Sequence, residues 1–138
     1  MSFLAKLSLA FAAGAFGGLL NGLTVWFCGQ QGFNQWLGVQ LAPALTPNFL
    51  YPRLVWGGLW GWLFLLNWGP GYRWRHGLIT SLAPTIGQLL YVFPYHLQKG
   101  LLGWDLGRLT PLLVVFFNAV WGLGAAFWLG LVNRKVSR

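Results

Sequence analysis

The sequence predicts an all-α integral membrane protein with four transmembrane helices. They form two parallel two-helix repeats, each with an interfacial amphipathic connector, in a single membrane domain over residues 1–138. Three observations predict it. Of the residues, 57% are hydrophobic, 18% aromatic and only 7% charged, whereas soluble domains carry about a quarter charged residues. Charge-free apolar runs extend over Leu7–Cys28, Leu54–Tyr72, Gly77–Tyr95 and Leu109–Asn133, and a bilayer core takes about 20 residues of helix. Finally, "GFNQWLGVQLAPALTP" from Gly32 and "GLLGWDLGRLTP" from Gly100 place closely similar stretches in the two halves.

The first run begins after Lys6, and "LSLAFAAGA" ending at Ala15 has the outline of a secretory signal. Apolar sequence nevertheless continues through "FGGLLNGLTVWF", so no polar mature region begins there and a true span is expected. Gly14, Gly18 and Gly22 place a Gly-x-x-x-Gly-x-x-x-Gly stripe, a glycine zipper, on one face of this helix. Gly57 and Gly61 repeat the spacing in the second run. Such stripes let two helix backbones approach closely, where dispersion replaces the hydrophobic drive that lipid removes. Contact within the chain is expected.

Between the first two runs, Phe33, Trp36, Leu37 and Leu41 recur near helical spacing, with Asn34, Gln35 and Gln40 as polar positions. Such a segment can lie flat in the membrane interface. Leu101, Leu102, Trp104, Leu106 and Leu109 do the same less regularly between the last two runs. Pro43, Pro47, Pro52 and Pro111 favour turns or extended chain before the next helix. Asp105 and Arg108, three apart, are spaced for a local ion pair if that piece is helical.

The two stretches align further. Gly32-x-x-x-Trp36-Leu37-Gly38 corresponds to Gly100-x-x-x-Trp104-x-Leu106-Gly107, and each leads to Leu-Thr-Pro, at 45–47 and 109–111. A Val-Trp-Gly triplet follows each, at 55–57 and 120–122. The expected repeats run over about 5–70 and 71–133, two spans apart and therefore in the same orientation, related by an axis along the membrane normal.

Positive charge orients the bundle. With the amino terminus inside, Lys6, Arg73, Arg75, Arg134, Lys135 and Arg138 are cytoplasmic, against Arg53, Lys99 and Arg108 outside, offset by Asp105. Both termini are then cytoplasmic, with a bacterial inner membrane the expected location. Net charge +8 does not indicate nucleic acid, because the basic residues fall at membrane edges in small groups rather than in one patch. Anionic lipid headgroups are the expected partners, Arg73 and Arg75 of "GPGYRWRHG" above all. Trp26, Trp36, Tyr51, Trp68, Tyr72, Trp74, Tyr91, Tyr95, Trp104 and Trp128 fall near run ends, as interfacial anchors do.

Within the runs, Asn21 and Asn118 are central, and Ser81, Thr85 and Gln88 form one stripe on the third helix. An amide at that depth needs a partner, and pairing across the repeats is expected. Interhelical hydrogen bonding accounts for the stripe more simply than a solute path does.

Catalytic chemistry has little material. Asp105 is the one carboxylate, Cys28 the one thiol, and His76 and His96 are separated by about 30 Å along a helix. Paired acid and base, an internal disulfide and a shared metal are all excluded. Both histidines are expected to be interfacial and solvated. No enzyme activity, cofactor or metal is therefore expected.

Two functions fit. One is a non-enzymatic accessory or assembly subunit of a larger membrane complex, binding other subunits or a second copy through Trp36, Trp104, Asp105 and Arg108 on its connectors. The other is a small transporter or channel with a polar path along the third span. It lacks an intramembrane charge of the kind that proton-coupled carriers use.

Overall fold

A computed structural model describes residues 2–67, 73–96, 98 and 100–133. Trp68, Tyr72, Lys99, Arg134, Lys135 and Arg138, and the side chain of Arg73, lie outside the described residues. The described residues form helices joined by turns and extended connectors, without a strand. α1 spans Phe3–Gln30, α2 Phe33–Trp36 and α3 Pro47–Gly61, which tightens into a 3-10 helix over Trp62–Asn67. α4 spans Arg73–Thr80 and α5 Leu82–Gly87, continuing as a π-helix over Gln88–His96. A 3-10 turn, Leu101–Gly103, precedes α6, Thr110–Asn133.

Three stretches are long and apolar enough to cross a membrane: Phe3–Gln30, Trp74–His96 and Thr110–Val132. Among the described residues the second apolar run does not form one such helix. Its α-helix begins upstream at Pro47, takes in Pro52 and Arg53, and gives way to 3-10 geometry at Trp62. Leu-Thr-Pro is a helix start in both halves. Thr46 caps α3, its hydroxyl accepting from the Phe49 amide at 3.2 Å, with Pro47 in the first turn where its missing N–H costs nothing. Thr110 and Pro111 open α6, although the Thr110 hydroxyl is buried without a partner.

α1 lies at the centre, packed on α3 through Gly14, Gly18 and Gly22 and on α6 through Gly17, and α4 packs on α6. Gly14 faces Gly57 and Gly61, Gly18 faces the Arg53 backbone, and Gly22 faces Leu50 and Phe49. These positions form the α1–α3 seam. A methyl on Gly14 would overlap the Gly57 carbonyl oxygen. α4 and α6 meet through another glycine pair, Gly77 and Gly122, each against the other's carbonyl.

Ala13, Phe64, Trp121, Ala125, Ala126 and Leu129 form one buried cluster, with Trp60 and Trp128 against it. Trp128 is thus half-buried beside Phe16, with ring centroids 5.2 Å apart, rather than an exposed anchor. A second cluster, Val25, Val39, Leu113 and Phe117, joins α1 and α6 to the first connector.

The connectors cap this end of the bundle. α2 is only one turn, after which the chain extends and buries Val39 completely. Asn34, expected on the polar face, is also fully buried, its Nδ2 donating to the Leu41 carbonyl at 2.7 Å and so closing the loop on itself. The connectors touch directly: the Gln40 amide donates to the Leu106 carbonyl at 2.8 Å. Gly38 and Gly107, equivalent in the two similar stretches, meet backbone to backbone at positive φ, where a side chain on either would strain the chain and one on Gly107 would also strike the Gly38 carbonyl.

Candidate functional site

On α1, Asn21 follows Gly14 and Gly18 along the face turned into the bundle, and it is buried. On α6, Asn118 is buried at the same level. Asn21 Nδ2 donates to the Phe117 carbonyl at 2.8 Å and reaches Asn118 Oδ1 at 3.4 Å. The two central amides therefore meet, from α1 of the first half and α6 of the second.

From Asn118 the chain of polar groups continues into the third helix. Its Nδ2 donates to Thr85 Oγ1 at 3.0 Å and reaches Gln88 Oε1 at 3.4 Å. Thr85 Oγ1 in turn donates to the Ser81 carbonyl at 2.7 Å, and Ser81 Oγ donates to the Leu78 carbonyl at 2.7 Å. The hydroxyls thus return their protons to their own helix. Pro84 lies in the same stretch and has no N–H, which weakens the backbone ladder there.

In the other direction the chain ends on a cation. Arg53 Nη1 donates to Asn21 Oδ1 at 2.7 Å, and its Cζ lies 4.4 Å above the Phe49 ring. The charge count puts Arg53 outside, just before the second apolar run. It sits instead inside α3, half-buried against α1, because helix formation begins at the Thr46–Pro47 cap and carries the arginine into the bundle. Asn21 lies seven residues, about 10 Å of helix, inside the Cys28 end of the first apolar run. The chain therefore holds a cation inside the helix bundle, beside that run, which the search for charge-free runs left out.

The register of the repeat held the signal for it. Arg53 and Asn118 each stand two residues before a Val-Trp-Gly triplet. Each also reaches the preceding long helix of its own half, Arg53 through Asn21 and Asn118 through Thr85. Trp121 is a further residue that sequence reasoning missed: its Nε1 donates to the Gly14 carbonyl at 3.0 Å while its backbone seals Gly17.

The remaining residues stay apart from this chain. Trp36 is 79% exposed and Trp104 57%. Asp105 and Arg108 are both exposed and form no ion pair, because their segment is a series of turns rather than a helix. Arg75 lies with its Cζ 5.1 Å from the Trp74 ring. His96 is exposed, but His76 is not simply solvated, since its Nδ1 is sealed without a partner where α4 packs. Cys28 is partly buried on the wall of an open apolar groove with Phe27, Phe33, Trp36 and Phe116. Among the described residues no three His, Cys, Asp or Glu side chains group for a metal. No family model, no curated protein and no solved structure matches the chain.

Proposed function

We propose that this chain is a non-enzymatic accessory or assembly subunit of a larger membrane protein complex, crossing the membrane four times with both termini cytoplasmic. The observation that carries this reading is where the intramembrane polar groups are spent. Ser81, Thr85, Asn118 and Asn21 hydrogen-bond one another or nearby carbonyls, tying α1, α5 and α6 together rather than standing open along a path. The outer faces, by contrast, are rows of exposed apolar side chains with Trp36 and Trp104 on the connectors.

The fourth crossing is α3 with its 3-10 extension. Residues 47–67 reach about 34 Å at the rises of the two helix types, enough for a hydrocarbon core. With Arg53 withdrawn from the loops, Lys99 and Arg108 alone remain on the connector side, so the bias toward cytoplasmic positive charge is larger. Duplication of a two-helix unit is supported by the paired contacts Gly14–Gly57 and Gly77–Gly122, and by the equivalent positions of Arg53 and Asn118. A closed two-fold bundle would also match the long α1–α6 contact with one between α3 and α4. Here the third span meets this part of the chain only lightly, the 3-10 extension of α3 against α4 and Trp60 beside Gly87.

The second reading, a small transporter or channel, is favoured by one observation: Arg53, Asn21, Asn118 and Gln88 lie in line across the bundle. Tagged protein taken from its native membrane in mild detergent separates the two. A subunit brings down a stoichiometric partner that Trp36→Ala or Trp104→Ala releases, while Ser81→Ala, Thr85→Ala and Gln88→Ala retain it. Solute flux in liposomes, lost in the Gln88 variant and with no partner recovered, would replace this reading with the second.

A further inference from the structure

We infer that Arg53 is the docking point for a carboxylate carried on a transmembrane helix of a partner protein. The inference rests on the subunit reading above and names the chemistry of the partner.

The guanidinium has five N–H donors, and one is used, toward Asn21 Oδ1 at 2.7 Å. The ring of Phe49 covers one face of the group at 4.4 Å, and Gly22 lies against its Cδ. Neither supplies negative charge. A cation inside the hydrocarbon layer is costly unless it is paired, and such residues face a partner or a polar cavity. Among the described residues no counter-ion meets it, and the one Asp or Glu side chain of the sequence, Asp105, is exposed on the second connector.

Depth and surroundings select the occupant. Asn21, which holds the guanidinium, lies about 10 Å inside the end of the apolar run, below the level of lipid phosphates. On the side of α3 nearest Arg53 the surface is apolar, with Trp56 exposed and Phe49 and Trp60 half-buried. A hydrated small anion would have to shed its water to pass them. A carboxylate on a helix arrives with apolar neighbours that cover these same side chains, and the planar fork of arginine matches it in two parallel hydrogen bonds.

The test uses the full chain, donor-labelled and reconstituted in neutral phosphatidylcholine vesicles. The probe is an acceptor-labelled poly-leucine transmembrane peptide with a single Asp about 10 Å from the connector-side boundary, the depth worked above from the helix rise. Energy transfer should report binding roughly tenfold or more tighter than for the all-leucine peptide, as a charge-assisted pair implies. Arg53→Gln should abolish that difference, and Arg53→Lys, which keeps the charge but not the two parallel hydrogen bonds, should keep only part of it. A peptide with Asp at the opposite boundary should bind like the all-leucine one.

Equal binding of the Asp and leucine peptides by the native chain, or an Arg53→Gln chain that still prefers the Asp peptide, would overturn the inference. Displacement of the Asp peptide when anionic phosphatidylglycerol replaces part of the neutral lipid would assign the site to a headgroup instead, and so overturn it too. Co-purification separates this from the subunit reading. A stoichiometric partner retained by the Arg53→Gln chain leaves the subunit reading standing and removes Arg53 from it. Selective peptide binding with no native partner recovered keeps the site and removes the subunit reading.

Discussion

Replacing Asn21 with leucine should be the most costly single change in the polar chain, and the cost should depend on whether Arg53 is present. In the native protein Asn21 Oδ1 accepts a charge-assisted hydrogen bond from Arg53 at 2.7 Å, of the kind that contributes about 1.5–3 kcal/mol. Its Nδ2 donates to the Phe117 carbonyl at 2.8 Å, which adds about 0.6 kcal/mol, the average for interhelical hydrogen bonds in a membrane. The 3.4 Å approach to Asn118 adds little. Asn21→Leu should therefore cost about 2–4 kcal/mol, and Asn118→Leu, which loses neutral bonds alone, about 1 kcal/mol.

Arg53→Met by itself should change stability little. It removes the bond to Asn21 but also a membrane-buried cation that costs about 2.5–3.5 kcal/mol. In the Arg53→Met background Asn21→Leu should then cost about 1 kcal/mol, leaving a coupling energy of roughly 1–3 kcal/mol. Unfolding by sodium dodecyl sulfate in mixed micelles, followed through the intrinsic tryptophans and by circular dichroism, measures all four corners of the cycle. A coupling below about 0.5 kcal/mol, the ordinary scatter of additivity, would refute the assignment of Arg53 to Asn21. So would an Asn21→Leu cost no greater than that of Asn118→Leu.

Close packing at the α1–α3 seam predicts that Gly14→Ala costs about 1–3 kcal/mol, since the new methyl meets the rigid Gly57 carbonyl rather than a side chain that can turn away. Gly87→Ala is the control, because its methyl meets only the Trp60 ring at 3.4 Å and gains up to about 1 kcal/mol of helix propensity. Equal shifts of the two unfolding curves would remove the seam's role. Gly29 cannot serve as that control, since it packs on Ala42 and Leu41. For topology, single cysteines replacing Trp74 and Val136 in a Cys28→Ser chain should label from the cytoplasmic side, and those replacing Gln35 and Trp104 from the other. Labelling of positions 35 and 74 from one side would exclude four crossings.

The sequence by itself determined the solvent and the class of fold. A chain with 7% charged residues and apolar runs as long as Leu7–Cys28 and Leu109–Asn133 matches the length of a membrane helix rather than that of a barrel strand, and α1 and α6 follow those runs closely. It also determined that Asn21 and Asn118 need partners at depth, because hydrocarbon offers none. The fourth helix was less legible. Scanning for charge-free runs stops at Arg53, whereas a helix starts where its cap and first-turn proline are, at Thr46 and Pro47.

Only the tertiary structure decided which groups meet. One-dimensional spacing puts Gly14, Gly18 and Asn21 on one face but is silent about what that face touches. Packing α3 and α6 on neighbouring faces of α1 brought Arg53, Asn21, Asn118 and Thr85 into one chain from positions as far apart as 97 residues. It also buried Val39 and Asn34, which look like surface positions of an amphipathic connector until the two connectors fold over the bundle end and bond to each other. The physical reason is the same in each instance. Helix faces and caps follow from local geometry, but a hydrogen bond between helices depends on the separation and register of two backbones, and those are set by where glycines let the helices touch.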